Sequence, residues 1–545
     1  MPAVPGTVPF VSDIFIFRRF TMNQTQCASS CASCGISRRD FLATGGLSAV
    51  LLALSEPAFA ELPAGKKVTV RVLFTLHAAI QPIPDWPNIG FDFDPLMKEI
   101  METLKAAAPE VNFVSSMTSG DFVTQEILKT DGDDVQGYIV YQLNNWNPTI
   151  EQVVASGKPA LYTTYPYCGD GGFLVFTAKI LRAKSENFTF ISSTKLDDIA
   201  AAASCFSLIA NGKSTQKFVS AVTQVRRERT KSYNTELQII EDKVDCLSSK
   251  ELLERLANTR LIAVNEPMDG KTATRKDAFG IEIIHVGFEQ LNAAMKEAMV
   301  ENAEAWRIAR GWRDKAKLIA PEISDQTLFE SAAMYLAQKA LLKKYDATGI
   351  TINCLGGFFG KHITAYPCLG FYELNNQALV GGCECDIRSA VSTLVMSLLT
   401  KGRSGFISDP VLDVATRQII YAHCVAGSRV FGPQGPDCEI EILTHSEDRR
   451  GASVRAIAPT GYTTTSVEFD FGSQTILWHQ AVAVDNSRID RACRTKICAE
   501  VPGDFEKLYT EWDHWGWHRV TVYGDLKQQL FDLAKESGWK LLEEA

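Results

Sequence analysis

"KKVTVRVLFTL", residues 66–76, decides how the chain is read. Apolar and polar residues alternate, and valines and threonines dominate, which is the pattern of a strand. The next regular stretch, "PLMKEIMETLKAAA" (95–108), has helical apolar spacing instead. "DVQGYIVYQL" (134–143) returns to strand character, "TIEQVVASG" (149–157) reads as a helix closed by Gly157, and "PALYTTYP" (159–166) is a strand again. Strands that alternate with helices call for a parallel sheet covered by those helices.

The habit repeats further on. "CFSLIA" (205–210) reads as a short buried strand, "SKELLERLANTR" (249–260) as a helix, and "LIAVNEP" (261–267) and "FGIEIIHVGFEQL" (279–291) as strand-bearing. Two long helical stretches follow, at 303–319 and 324–345, the second capped by Ser324. From about 350 the texture changes. "GITINCL" (349–355) is a strand and "AVSTLVMSLLTKG" (390–402) a helix. "QIIYAHCV", "CEIEILTH", "SVEFDFGSQTILWHQAVAV" and "TKICAEV" make residues 417–502 mostly β. The expected class is α/β: two Rossmann-like α/β domains (61–185 and 186–348), then a domain with a mostly β, barrel-like core (349–545).

Composition fits a globular protein, with 46% apolar and 22% charged residues among 545. A net charge of -9 argues against nucleic-acid binding, which calls for basic clusters. Residues 1–60 read as a leader. "SRRDFLATGGLSAVLLALSEPAFA" (37–60) holds the twin arginines Arg38 and Arg39, a modest apolar run and an Ala58-Phe59-Ala60 cleavage pattern. This predicts twin-arginine export to the periplasm of a folded and already loaded protein, with Met22 an alternative start to Met1. No later stretch of sequence reads as a membrane helix.

Of 14 cysteines, Cys27, Cys31 and Cys34 fall in the leader. The other eleven show no repeated spacing, so no disulfide framework is read; Cys493 with Cys498 is one candidate pair. The oddest segment is "GGCECDIRSA" (381–390). Its C-x-C lacks the second close pair of a zinc site and the C-x-x-C of a redox helix. Its carboxylate is the better candidate. Glu384 stands between a glycine-rich approach and a helix, and Asp409 in "SGFISDPVLD" (404–413) ends a short apolar run before Pro410. Two carboxylates at the ends of neighbouring strands can share one hard cation. The competing reading makes Glu384 a helix cap and Asp409 a turn residue.

The stretch "CLGGFFG...YPCLGFYELNNQALVGGCECDIRSAVSTLVMSLLTKGRSGFISDP" (354–410) resembles the L-fucose isomerase family, which is related to L-arabinose isomerase. The closing segment "CRTKICAEVPGDFEKLYTEWDHWGWHRVTVYGD" (493–525) is similar to that family's end. The likeness is strongest over 350–525 and diffuse over 66–350. It implies that Glu384 and Asp409 are metal ligands and the acid/base pair, and that His518 is the third ligand of a divalent metal, Mn2+. The family's His-His pair is here Trp517-His518, which leaves His514 as the alternative ligand and a substrate-binding candidate. The spacing from Glu384 to Asp409 is also one residue longer, around Lys401 and Gly402. Cys383 and Cys385 become small packing residues.

The activity so implied is aldose–ketose isomerisation of a sugar through an enediolate, in a homotrimer or hexamer. A cation polarises the substrate oxygens while two carboxylates move the protons. Trp86 and Trp146, after strand ends of the first domain, are candidate sugar platforms of the kind related isomerases borrow from a neighbouring subunit. His77 and His285 read as structural, and His362, His423, His445 and His479 have no partner spacing. No P-loop or G-x-G-x-x-G is present. The rival reading is an exported, isomerase-like sugar-binding protein without turnover.

Overall fold

Val68, Val70 and Val72 are fully buried, and the strand they build runs Val68–Thr75. The computed structural model describes residues 67–277, 279–300, 302–403 and 405–545. The twin-arginine segment and its three cysteines lie outside the described residues.

The first sheet has five parallel strands, in the order Val111–Thr118, Val68–Thr75, Gly137–Gln142, Ala160–Thr164 and Phe188–Ile191. The chain steps one way from the first strand and then reverses. The loops after Val68–Thr75 and Gly137–Gln142 therefore diverge and leave a crevice at the carboxyl end of the sheet. Trp86 and Trp146 stand on those two loops.

The second sheet carries Val380–Gly382, Gly349–Ile352, Arg260–Val264 and Glu282–Val286 in parallel, with Thr272–Lys276 antiparallel at its edge. "CFSLIA" is not one of these strands: Phe206–Ala210 is helical. The run follows the helix Leu196–Ser204 with no glycine or proline between them, and its Phe206 packs under Gly137 of the first sheet. A six-residue apolar run cannot by itself tell a buried helix from a buried strand.

The C-terminal part closes on itself. Phe406–Asp413, Gln418–His423, Thr495–Glu500, Thr475–Asn486, Thr463–Asp470 and Arg519–Tyr523 form an antiparallel ring, each strand bonded to the next and the last to the first. This is a barrel, which removes exposed strand edges. The short strand Lys540–Glu543 adds in parallel to Thr475–Asn486.

Polar contacts, some of them buried, join the first sheet to the barrel. Asp413 accepts hydrogen bonds from the Thr194 backbone N–H and hydroxyl, and the Ser192 hydroxyl donates to the Leu412 carbonyl. Arg226 pairs with Glu506 and Arg182 with Asp513. The molecule is thus mixed α/β with a mostly β C-terminal region. Among the described residues no helix is long and apolar enough to cross a membrane.

The edge strand Val380–Gly382 delivers Glu384, and its glycines are a packing requirement. A Cβ on Gly381 would lie 2.5 Å from the Cα of Phe371, which is backbone and cannot step aside. Gly381→Ala is expected to destabilise the protein by about 1–3 kcal/mol through overpacking, measured by urea unfolding; an unchanged midpoint would refute this account.

Candidate active site

Strand register assembles the site. Asp409 lies opposite Ala422 on one neighbouring strand, and His423 is the next residue. On the other side Ser408 lies opposite Arg519, so Asp409 and His518 are adjacent across that ladder. Glu384 comes from outside the barrel, in the turn between Val380–Gly382 and the helix Ile387–Leu399. That turn needs two successive left-handed residues, Glu384 at φ 59° and Cys385 at φ 52°. Non-glycine residues take such values at a cost and mark a place held by its surroundings.

Four side chains meet there. His518 Nε2 lies 3.1 Å from Asp409 Oδ1 and 3.6 Å from Glu384 Oε2. His423 Nε2 lies 3.7 Å from Glu384 Oε1 and 3.8 Å from Asp409 Oδ2. The two imidazole centroids are 5.5 Å apart. Asp409, His423 and His518 are buried, whereas Glu384 keeps a third of its side-chain surface open. Both Nε2 atoms are buried without a hydrogen-bond partner. Two orphaned ring nitrogens facing two carboxylates suit a divalent cation of the Mn2+ type.

The two histidines are not equivalent. His518 Nδ1 is 2.8 Å from Asp386 Oδ2, so Nδ1–H donates to the carboxylate and, once Nε2 has lost its own proton, the Nε2 lone pair is aimed at the site. His423 Nδ1 accepts the backbone N–H of Cys424 at 3.0 Å. In its neutral form His423 then carries its proton on Nε2, between Glu384 and Asp409. His518 is accordingly the better ligand, and His423 is a donor toward the carboxylates or a substrate oxygen. Asp409 is further fixed by Trp517, whose indole N–H donates to Oδ1 at 2.7 Å.

Electrostatics separate the two carboxylates. Burial raises the pKa of Glu384, helped by the neighbouring Asp409 and opposed by His518. Burial also works to raise Asp409, but His423, His518 and the Trp517 N–H overcome it and hold Asp409 below the usual carboxylate range. His518 is pulled down by burial, yet its hydrogen bond to Asp386 and the close carboxylates of Asp409 and Glu384 win and raise it well above an ordinary histidine. Such a split between paired carboxylates suits one to accept a proton and the other to stay ionised.

Of the other candidates, Trp146 sits edge-on to Trp517 with centroids 5.7 Å apart and is half-exposed. Trp86 is 4% exposed, packed with Tyr167, Tyr366 and Cys424, so its indole is a packing group rather than an open platform. His514 stacks edge-on against Trp515 and is not among the groups that converge on Glu384 and Asp409. His77 pairs with Asp85 at 3.0 Å. Cys383 is buried and Cys385 half-buried, both free. Cys493 does not turn to Cys498: its thiol hydrogen-bonds with Cys424.

The sequence reading missed His423, Asp386 and Glu447. A signal for His423 existed: Asp409 and His423 flank a tight hairpin closed at Asp413 and Gln418. Asp386 stood in the quoted "CECD". Glu447 comes from a loop remote in sequence; burial, then the charges of Asp85 and Glu384, push its carboxyl well above the usual range.

Two outcomes follow for the purified protein titrated with Mn2+ by calorimetry. Asp386→Asn keeps the helix cap but lets His518 turn, and should weaken binding by about 10–100-fold; unchanged affinity would remove Asp386 from its orienting role. His518 must lose its proton to offer Nε2, and that proton is held well above pH 6.5. Mn2+ should therefore bind more weakly at pH 6 than at pH 8, by up to about tenfold per unit below that pKa. A flat profile across this window would contradict the assignment.

No family model matches the chain. It is similar to proteins named sulfoquinovose isomerase from Priestia aryabhattai and Priestia megaterium, at 21% identity over 264 residues, 48% of this chain and 57% of each of those. The sulfoquinovose isomerase of Clostridium sp. is 24% identical over 208 residues, 37% of this chain and 45% of that one. The chain thus spans about half the length of the curated relatives it matches. Among solved structures, the transcriptional regulator CelR-cellobiose complex aligns over 52% of this chain and 66% of its own at 12% identity, with a TM-score of 0.17, too low to show a shared fold. The sequence similarity is to sugar isomerases.

Proposed function

We propose that the chain is a metal-dependent aldose–ketose isomerase acting on an open-chain sugar. The observation that carries this is the convergence of Glu384, Asp409 and the orphaned Nε2 of His518 at one end of the barrel. Similarity to sulfoquinovose isomerases supports the same reaction class. Glu384, Asp409 and His518 would hold a divalent cation, Mn2+ in this reading, which supplies Lewis-acid polarisation of the substrate's carbonyl and hydroxyl oxygens.

The chain's own groups handle the protons. Glu384, whose proton affinity burial has raised, takes the proton from the carbon beside the carbonyl and returns it to the neighbouring carbon. Asp409, kept ionised and fixed by Trp517, serves the oxygen-bound proton that moves in the opposite sense. His423 offers an Nε2–H to an oxygen of the enediolate as charge develops there. Trp517, braced by Trp146, covers the site on the side of the first sheet. The twin-arginine pattern supports an exported, periplasmic enzyme.

The test is interconversion of aldose and ketose by protein loaded with Mn2+. Fucose, arabinose and sulfoquinovose are the sugars to offer, the last because of the relatives' name. Glu384→Gln should lower turnover by about 10²–10⁴-fold while the fold and the sugar affinity persist. Metal binding with no conversion of any of the three by the wild type would favour the sugar-binding reading instead.

A further inference from the structure

The turn that carries Glu384 has a second feature, beside the carboxylate: the Cys383 thiol lies within 4.8 Å of the Glu384 carboxylate and the His423 ring. Cys383 Sγ lies 3.1 Å from Cys354 Sγ, and both residues are buried. Register brings them together. Gly349–Ile352 and Val380–Gly382 are adjacent parallel strands, with Thr351 opposite Gly382 as the last pair. Cys383 is the next residue on one strand. Cys354 follows the other and opens the short helix Cys354–Phe359. The Thr351 hydroxyl donates to the Cys383 carbonyl at 3.3 Å, which ties the two strand ends side by side.

We propose that Cys354 and Cys383 are a disulfide site, and that the cross-link clamps the left-handed turn bearing Glu384 to the neighbouring strand. Disulfides need Sγ atoms about 2.0 Å apart, so closure asks for about 1 Å, within reach of small side-chain rotations. The two thiols lose two protons and two electrons. A disulfide-class oxidant, glutathione disulfide, takes them up and leaves as two thiols, with one mixed disulfide between. Buried thiols exchange slowly, so the bond forms while this segment assembles or opens locally.

The two cysteines are 29 positions apart in sequence. Cross-linking a loop of that size restricts the unfolded chain, and it removes freedom from a turn that is already strained. The inference rests on the pair's geometry alone and stands whether or not the chain turns over a sugar.

The full chain is incubated with oxidised glutathione under gentle warming, free thiols are alkylated, and peptides are mapped without reduction. A Cys354–Cys383 peptide should be the principal cross-link. Oxidised wild type should melt about 3–5 °C above the reduced protein, and Cys354→Ala or Cys354→Ser should abolish that difference. Recovery of both cysteines as alkylated thiols would overturn the proposal, as would a redox-dependent melting shift that persists in both variants. The wild-type peptide map decides even if neither variant folds.

Discussion

Two carboxylates removed from water at one point are the constraint around which this molecule is arranged. Glu384 and Asp409 both approach His423 and His518 within 4 Å, in a place where Asp409 is buried and Glu384 is reached only in part by solvent. Uncompensated, such a pair is strongly unfavourable. The imidazoles supply part of the compensation, and the raised proton affinity of His518 is its direct expression. A divalent cation would do the same work and displace that proton, so charge at the site is exchanged rather than added. The Trp517 indole, the Asp386 carboxylate and the Cys424 backbone N–H each fix one member of the set from behind.

The architecture makes that arrangement rigid. Three of the four groups come from consecutive neighbours in a closed ring of strands, where register cannot slip by one residue without turning every side chain over. The fourth comes from the carboxyl end of an edge strand in a different sheet, where a strained pair of residues aims it inward. Sites held on strands and short turns keep their geometry better than sites on long loops.

Much of the fold was legible because it is periodic. Alternating valines and a following helical spacing were enough for the first parallel sheet, and the run of short β segments after residue 417 was enough for a β core. A barrel-like core was expected, but which strands close the ring stayed hidden, because pairing between the first and last strands leaves no local mark. The strand Val111–Thr118 was hidden too, since one of its faces is open to solvent and carries polar residues. At the site, Glu384, Asp409 and His518 could be singled out through the family resemblance. His423 was not, because a lone histidine in a strand looks the same whether it packs or faces a cation, and only the hairpin that pairs its strand with that of Asp409 points to it. Trp86 and Trp146 looked alike in sequence, each after a strand end. Burial separated them: one fills a core and the other leans on Trp517.

The same geometry bears on where a substrate would extend. The carboxyl end of the first sheet has its topological switch at the loops holding His77, Asp85 and Trp146, where sheets of this order take ligands. Through Trp146 on Trp517 those loops reach the group that fixes Asp409. Gly171, at the start of another loop-to-helix junction of that sheet, approaches Trp517 so closely that a Cβ there would be 3.3 Å from the indole. The first sheet is therefore not a remote appendage of the barrel. Through Trp146 and Gly171 it packs on the indole that fixes Asp409. In the proposed isomerase, a sugar bound between sheet and barrel would have its reacting end set by the barrel and its far end by loops of the first sheet. If the proposed isomerase reading holds, selectivity among sugars would be set on those loops while Glu384 and Asp409 stay as they are.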